Sequence, residues 1–138
     1  MIDLYQTQMF ALIALPDKFS EPLLDYFSGD SLPDFIGRDA PFERNRAAQD
    51  EQIQHIHFCY FKEINHKWLN KSQFQRTSDN FIIYTRHWRF DKLCCVLAVV
   101  TPDAHQRIDN LLPQLIQQAQ WFNGLGREEL AQLDWFKK

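Results

Sequence analysis

The sequence predicts an α+β domain built on a mostly antiparallel sheet, with helices at both ends of the chain. Three observations carry that expectation. Strand-like segments follow one another between residues 53 and 100, helix-period apolar stripes flank them, and Leu93 to Val100 is apolar at every position, as a strand covered on both faces must be. At 138 residues the chain is the size of one ordinary domain, read here as 1–138. It is 45% hydrophobic, with twelve Phe and four Trp to fill a core, and only four Gly and six Pro to interrupt it. The longest apolar run, those same eight residues, is far short of the ~20 that a membrane span needs.

The elements follow in order. The opening, Leu4 to Leu15, is ambiguous: Tyr5, Thr7, Met9, Ala11 and Ile13 alternate as in a strand, whereas Tyr5, Met9, Leu12 and Ile13 fit a helix face, and Pro16 ends either. Phe19, Leu23, Leu24 and Phe27 mark a short helix capped by Asp17 or Ser20 and stopped by Gly29, with Pro22 in its first turn. Asp30 to Glu51 reads as a polar, irregular stretch punctuated by Pro33, Gly37 and Pro41. Ile53 to Phe61 is a strand, with Ile56, Phe58 and Tyr60 on one face and Ile53, His55, His57, Cys59 and Phe61 on the other. A basic loop (Lys62, Lys67, Lys71) leads to a second strand, Phe81 to Thr85, and a turn at Arg89 to Asp91 precedes the apolar strand. Thr101-Pro102-Asp103 opens a helix with Ile108, Leu111, Leu112, Leu115, Ala119 and Phe122 as its stripe; Pro113 is expected to kink or split it. Gly124 and Gly126 break that helix, and Arg127 to Lys138 reads as a short terminal helix anchored by Leu130, Leu133 and Trp135 or Phe136.

Charge is segregated along the chain. Residues 1–51 carry ten acids against four bases, residues 52–92 seven bases against three acids plus four of the five histidines, and the remainder is nearly balanced. The net charge of −3 therefore conceals a basic middle, the expected anion-binding face of an otherwise acidic protein. No basic residue precedes Met9 to Leu15, so a signal peptide is not expected. Three cysteines, Cys59, Cys94 and Cys95, sit in apolar runs and read as reduced, buried thiols of a cytoplasmic protein.

Four segments hold residues suited to chemistry. His55 and His57, at i and i+2, share one face of a strand and could serve as a proton-transfer pair, a metal pair or plain strand residues. Arg76-Thr77-Ser78-Asp79 before a strand offers a guanidinium, two hydroxyls and a carboxylate, a set that suits a phosphate or a simple turn. Pro102-Asp103-Ala104-His105 puts a histidine in a first helical turn, where the helix dipole favours neutral imidazole. Arg38-Asp39, after Leu32-Pro33-Asp34 and Gly37, is either an ion pair pinning a loop or a substrate arm. Phosphate-loop, nucleophile-elbow, Cys-x-x-Cys and His-Glu-x-x-His motifs are absent, which removes support for nucleoside triphosphate hydrolysis, serine hydrolase chemistry and ordinary zinc sites. Trp68, Phe74, Tyr84, His87 and Trp88 interleave with Arg86 and Arg89, a combination that can stack and hold single-stranded RNA.

Together these segments resemble the YafO family of type II toxin–antitoxin toxins. The likeness runs through Leu32-Pro33-Asp34, Gly37-Arg38-Asp39, His55-Ile56-His57, Phe74-x-Arg76-Thr77-x-Asp79 with Tyr84, and Pro102-x-x-His105, over about residues 4–122; residues 124–138 read as a C-terminal extension. The resemblance implies a compact RelE-like fold and an endoribonuclease that cleaves mRNA in association with the translating ribosome. It also implies a YafN-like antitoxin encoded adjacently as partner. The mechanism expected from the residues is metal-independent and cofactor-free, with the substrate's 2′-OH as nucleophile. On this reading His57 and His105 exchange protons, with His55 alongside, and Arg76 holds the phosphate. Asp79 or Thr77 orients them, and Arg38, Tyr84, Arg86 and Lys71 hold substrate. The rivals are a non-enzymatic ribosome- or partner-binding module, including a ParE-like inhibitor, using the same basic face, and a metal-dependent nuclease.

Overall fold

The computed structural model describes residues 7–12, 15 and 17–137. Tyr5, Ile13 and Pro16, on which the reading of the opening segment partly turned, lie outside the described residues. What is described there is a strand, β1 (Met9–Leu12). It is followed by α1 (Asp17–Phe27), β2 (Ile36–Pro41), α2 (Arg46–Asp50), β3 (Ile53–Phe58), α3 (His66–Leu69), β4 (Phe81–Arg86), β5 (Leu93–Val100), α4 (Ala104–Asn123), α5 (Arg127–Leu130) and β6 (Trp135–Phe136). The strands form one sheet in the order β2-β3-β4-β5-β1-β6. All neighbours are antiparallel except β1 and β5, so the fold is the expected α+β class with one parallel pair.

Strand parity divides the core in two. Phe81, Ile83, Leu93, Cys95 and Leu97 face α4, where Ile108, Leu112, Leu115, Ala119 and Phe122 bury the predicted stripe. Ile56, Phe58, Ile82, Tyr84, Cys94 and Val96 face α1 and meet Phe19, Leu23, Leu24 and Phe27. β5 supplies both sides, as its unbroken apolar sequence required, and its cysteines are free and buried. Burial pushes the Cys94 and Cys95 thiols up to about 12, so neither is a thiolate nucleophile.

Several elements depart from the expected pattern. The stretch 30–51 contains β2 and α2. β3 stops at Phe58, and Phe61 to Glu63 form a 3-10 turn. The basic loop holds α3, whose Asn65 caps it through the Trp68 amide. α1 begins at Asp17, which puts Pro22 beyond the first turn; the hydrogen bond lost there belongs to the carbonyl of solvent-exposed Lys18. Gly29, at φ +78, ends α1 as expected, with the Asp30 amide bonded back to the Asp25 carbonyl. α4 runs unbroken through Pro113, which lies on its solvent side where water can satisfy the freed carbonyl. The terminal segment is only one helical turn, followed by β6 pairing with β1.

One glycine is required by space. A Cβ on Gly37 would collide with the Arg76 carbonyl oxygen and lie 2.9 Å from both Arg76 Cβ and the Trp68 ring. Its absence lets the segment before Arg76 close along the outer edge of β2, where the Arg38 amide donates to the Arg76 carbonyl at 2.8 Å. This closure brings two distant sequence segments together at the mouth of a cleft.

Candidate active site

The cleft, about 850 Å³, opens on the α4 face of the sheet. β3 contributes His55 and His57, β2 contributes Arg38, the segment before β4 contributes Thr77, Ser78 and Asp79, and the first turn of α4 contributes His105. Phe42, Glu43, Arg44, Asn45 and Asp109 complete much of the wall. Two arginines and three histidines thus face three carboxylates, a mixed rather than uniformly basic lining. Both arginines come from the acidic first third of the chain, whereas the basic block 52–92 contributes His55, His57, Thr77, Ser78 and Asp79. Arg44 carried no signal in the sequence beyond its position after the strand that was missed.

The three imidazoles stand in a row. His55 stacks on Phe42 with centroids 4.4 Å apart, His55 and His57 are 5.3 Å apart, and His57 and His105 5.7 Å. Phe81 lies edge-on against all three at 4.8 Å and forms the floor. Burial pushes His55 and His57 down to about 4, and the neighbouring His105 and Arg38 act in the same direction. Both are therefore neutral near pH 7. His57 Nδ1 sits 2.8 Å from the Ser78 carbonyl oxygen and 2.9 Å from the Ser78 amide, which leaves Nε2 as its working nitrogen.

His105 is held differently. Its Nδ1–H donates to Asp79 Oδ1 at 2.6 Å, and its backbone amide donates to the same oxygen at 2.8 Å. The Ala104 amide donates to the Asp79 carbonyl at 3.1 Å. Asp103 makes no side-chain cap, so Asp79 supplies from outside the helix the acceptors that the first amides of α4 need. The His105 amide, and then its ring N–H, hold the Asp79 carboxyl below its usual range. With Nδ1 engaged, His105 Nε2 is free for proton transfer and Asp79 can balance a positive charge on the ring.

Not every expected residue is here. Arg76 is 8% exposed and its guanidinium donates to the carbonyls of Ile36, Lys71 and Leu69 at 3.2, 3.2 and 3.3 Å. It tethers α3 and its flanking turn to β2 and does not line the cleft. Tyr84 is 4% exposed on the α1 face, where its hydroxyl donates to Asp39 at 2.8 Å. Arg86 donates to the Asp91 carbonyl at the far end of β4. Lys71 borders a smaller adjoining cleft of about 270 Å³ that shares Thr77 and Ser78 with the main one. Arg38 and Asp39 do not pair: Asp39 turns to the α1 face to accept from Tyr26 at 2.6 Å and Gln54 at 2.7 Å, while Arg38 turns to the cleft. Of the interleaved aromatics, Trp68, Tyr84 and His87 are buried. Among the described residues no group of three His, Cys, Asp or Glu side chains converges as metal ligands.

The fold and the cleft together define a small single-sheet protein whose cleft gathers three histidines and two arginines. The chain belongs to the YafO toxin family: the family described as toxin YafO of a type II toxin–antitoxin system matches residues 24–124, which include every cleft residue named above. No curated protein and no solved structure matches the chain. A toxin of this class has a cognate antitoxin as its partner. No described helix is long and apolar enough to cross a membrane.

Proposed function

We propose that this toxin is a metal-independent endoribonuclease that cleaves mRNA in the cytoplasm, in association with the ribosome, and thereby stops translation and growth. A YafN-like antitoxin encoded beside it neutralises it. The observation that carries the reading is the pairing of neutral His57 with Asp79-backed His105 across one arginine-flanked cleft. In the reaction the 2′-oxygen bonds to phosphorus and its proton passes to a base. The P–O5′ bond breaks, and an acid protonates the departing 5′-oxygen, leaving a 2′,3′-cyclic phosphate. His57, uncharged at neutral pH, can accept the first proton; His105, with Asp79 to balance its charge, can carry the second. A phosphate near His57 would offset the desolvation that makes it a weak base. Arg38 and Arg44 take the phosphate role that Arg76, bound to three carbonyls, does not fill.

The test is cleavage of a defined RNA by purified protein, with and without ribosomes. Wild type should yield cyclic-phosphate ends in the presence of chelator, and 2′-O-methyl substitution at the cut should block the reaction. His57→Ala and His105→Ala should each lower kcat by about 10²–10⁴ while remaining folded. Undiminished cleavage in both variants would remove the assignment.

A further inference from the structure

Building on the ribonuclease reading, we infer that Phe74 is a stacking platform for an unpaired nucleobase of the RNA strand whose phosphate lies on Arg38. Phe74 is 67% exposed, the most exposed large hydrophobic side chain among the described residues. Nothing in the core needs it there. The Arg38 guanidinium lies 3.9 Å from its ring centroid, and Arg38 Nε donates to the Phe74 carbonyl at 2.6 Å. One arginine is thus fixed by the backbone and ring of Phe74 at one end and faces the cleft at the other. Its terminal nitrogens make no hydrogen bond to the described residues, and they remain available to a phosphate.

The platform is in place before any ligand arrives. Phe74 occupies the middle of a 3-10 turn, Gln73–Gln75, closed by reciprocal Ser72 and Gln75 hydrogen bonds. Gln73 anchors that turn to the Gly37 carbonyl at 3.1 Å and to the Tyr26 hydroxyl at 2.9 Å. Arg76, the residue that follows the turn, is buried and donates to the Ile36 carbonyl at 3.2 Å. An aromatic face that needs no ordering loses little on binding, and stacking tolerates any base. Phe74 also borders a cleft of about 250 Å³ lined by Tyr26, Asp39, Gln54 and Gln73, whose oxygens can meet a base edge. The other exposed aromatics lack this connection. Phe61 is packed against Phe19, Phe35 and Lys18; Trp88 and Trp121, like Phe74, do not line the main cleft, but only Phe74 is joined to it through Arg38.

The experiment uses the full-length toxin and a short, fully 2′-O-methylated oligonucleotide, which cannot be cleaved, carrying 2-aminopurine at successive positions. With wild type, fluorescence should fall at one position as that base stacks. Phe74→Ala should abolish the quench and weaken binding by roughly 5–150-fold, whereas Phe74→Tyr should keep both. In cleavage of unmodified RNA, Phe74→Ala should raise KM more than it lowers kcat. An unchanged quench in Phe74→Ala overturns the platform while leaving the ribonuclease reading intact. So does a variant with normal RNA kinetics that escapes its antitoxin, which would make Phe74 a protein contact. Failure of wild type to bind or cleave any RNA removes the ribonuclease reading, and the platform with it.

Discussion

Replacing Arg76 by alanine separates a structural arginine from a phosphate ligand. The substitution strips donors from three carbonyls. That of Ile36 is bonded in a buried setting and stays dry, at about 1–3 kcal/mol for an unmet buried acceptor. Those of Leu69 and Lys71 are partly buried and regain water, at about 0.5 kcal/mol each. The void beside Trp68 adds about 1 kcal/mol, giving about 3–5 kcal/mol in all. For a domain of this length that lowers Tm by about 12–20 °C, at about 4 °C per kcal/mol. Arg76→Lys restores the charge but offers one ammonium to three carbonyls and should recover less than half of the loss. Differential scanning calorimetry gives Tm. Cleavage measured well below the variant's Tm should keep kcat/KM within about threefold of wild type, because the guanidinium does not reach the cleft. A Tm within 2 °C of wild type (about 0.5 kcal/mol) combined with loss of cleavage would refute this and return Arg76 to the phosphate.

Two further outcomes follow from the histidine row. Asp79→Asn leaves an oxygen to cap α4 but removes the charge behind His105, so Tm should change little while kcat falls by about 10²–10⁴ with KM nearly constant; an unchanged kcat would make Asp79 a cap and nothing more. His55 and His57 titrate near 4 in the fold and near 6.5 in the unfolded chain, so below pH 6.5 the unfolded state binds more protons. Their contribution to stability is complete above pH 6.5 and is lost as the pH falls toward 4. Urea midpoints taken between pH 7.5 and 4 should decline through that window, and His55→Phe, which can keep the stack on Phe42, should flatten the decline. An equal slope in the variant would place the titration elsewhere.

What could be read from residues alone was whatever local periodicity encodes. The two-residue spacing of His55 and His57 put them on one wall, and the unbroken apolar run of β5 marked it as central. β2 was hidden because a register irregularity between Ile36 and Asp39 places both on the α1 face, which destroys the alternation a strand displays. With β2 unseen, Arg38 and Asp39 looked like an adjacent pair, although a strand sends them to opposite faces. Arg76 illustrates a second limit: an arginine before a strand has the same letters whether it faces phosphate or three backbone carbonyls, and only burial of the side chain distinguishes them. The parallel partnership of β1 and β5 joins segments some eighty residues apart and leaves no local trace.

The position of β1 has a consequence for how this chain is made. Its neighbours in the sheet, β5 and β6, both follow β2, β3 and β4 in chain order. A nascent chain that stops before residue 105 carries His55 and His57 but neither His105 nor the helix whose first amides Asp79 meets. Synthesis order therefore decides when the cleft is complete: its last wall arrives only with the first turn of α4, after β3 and β4.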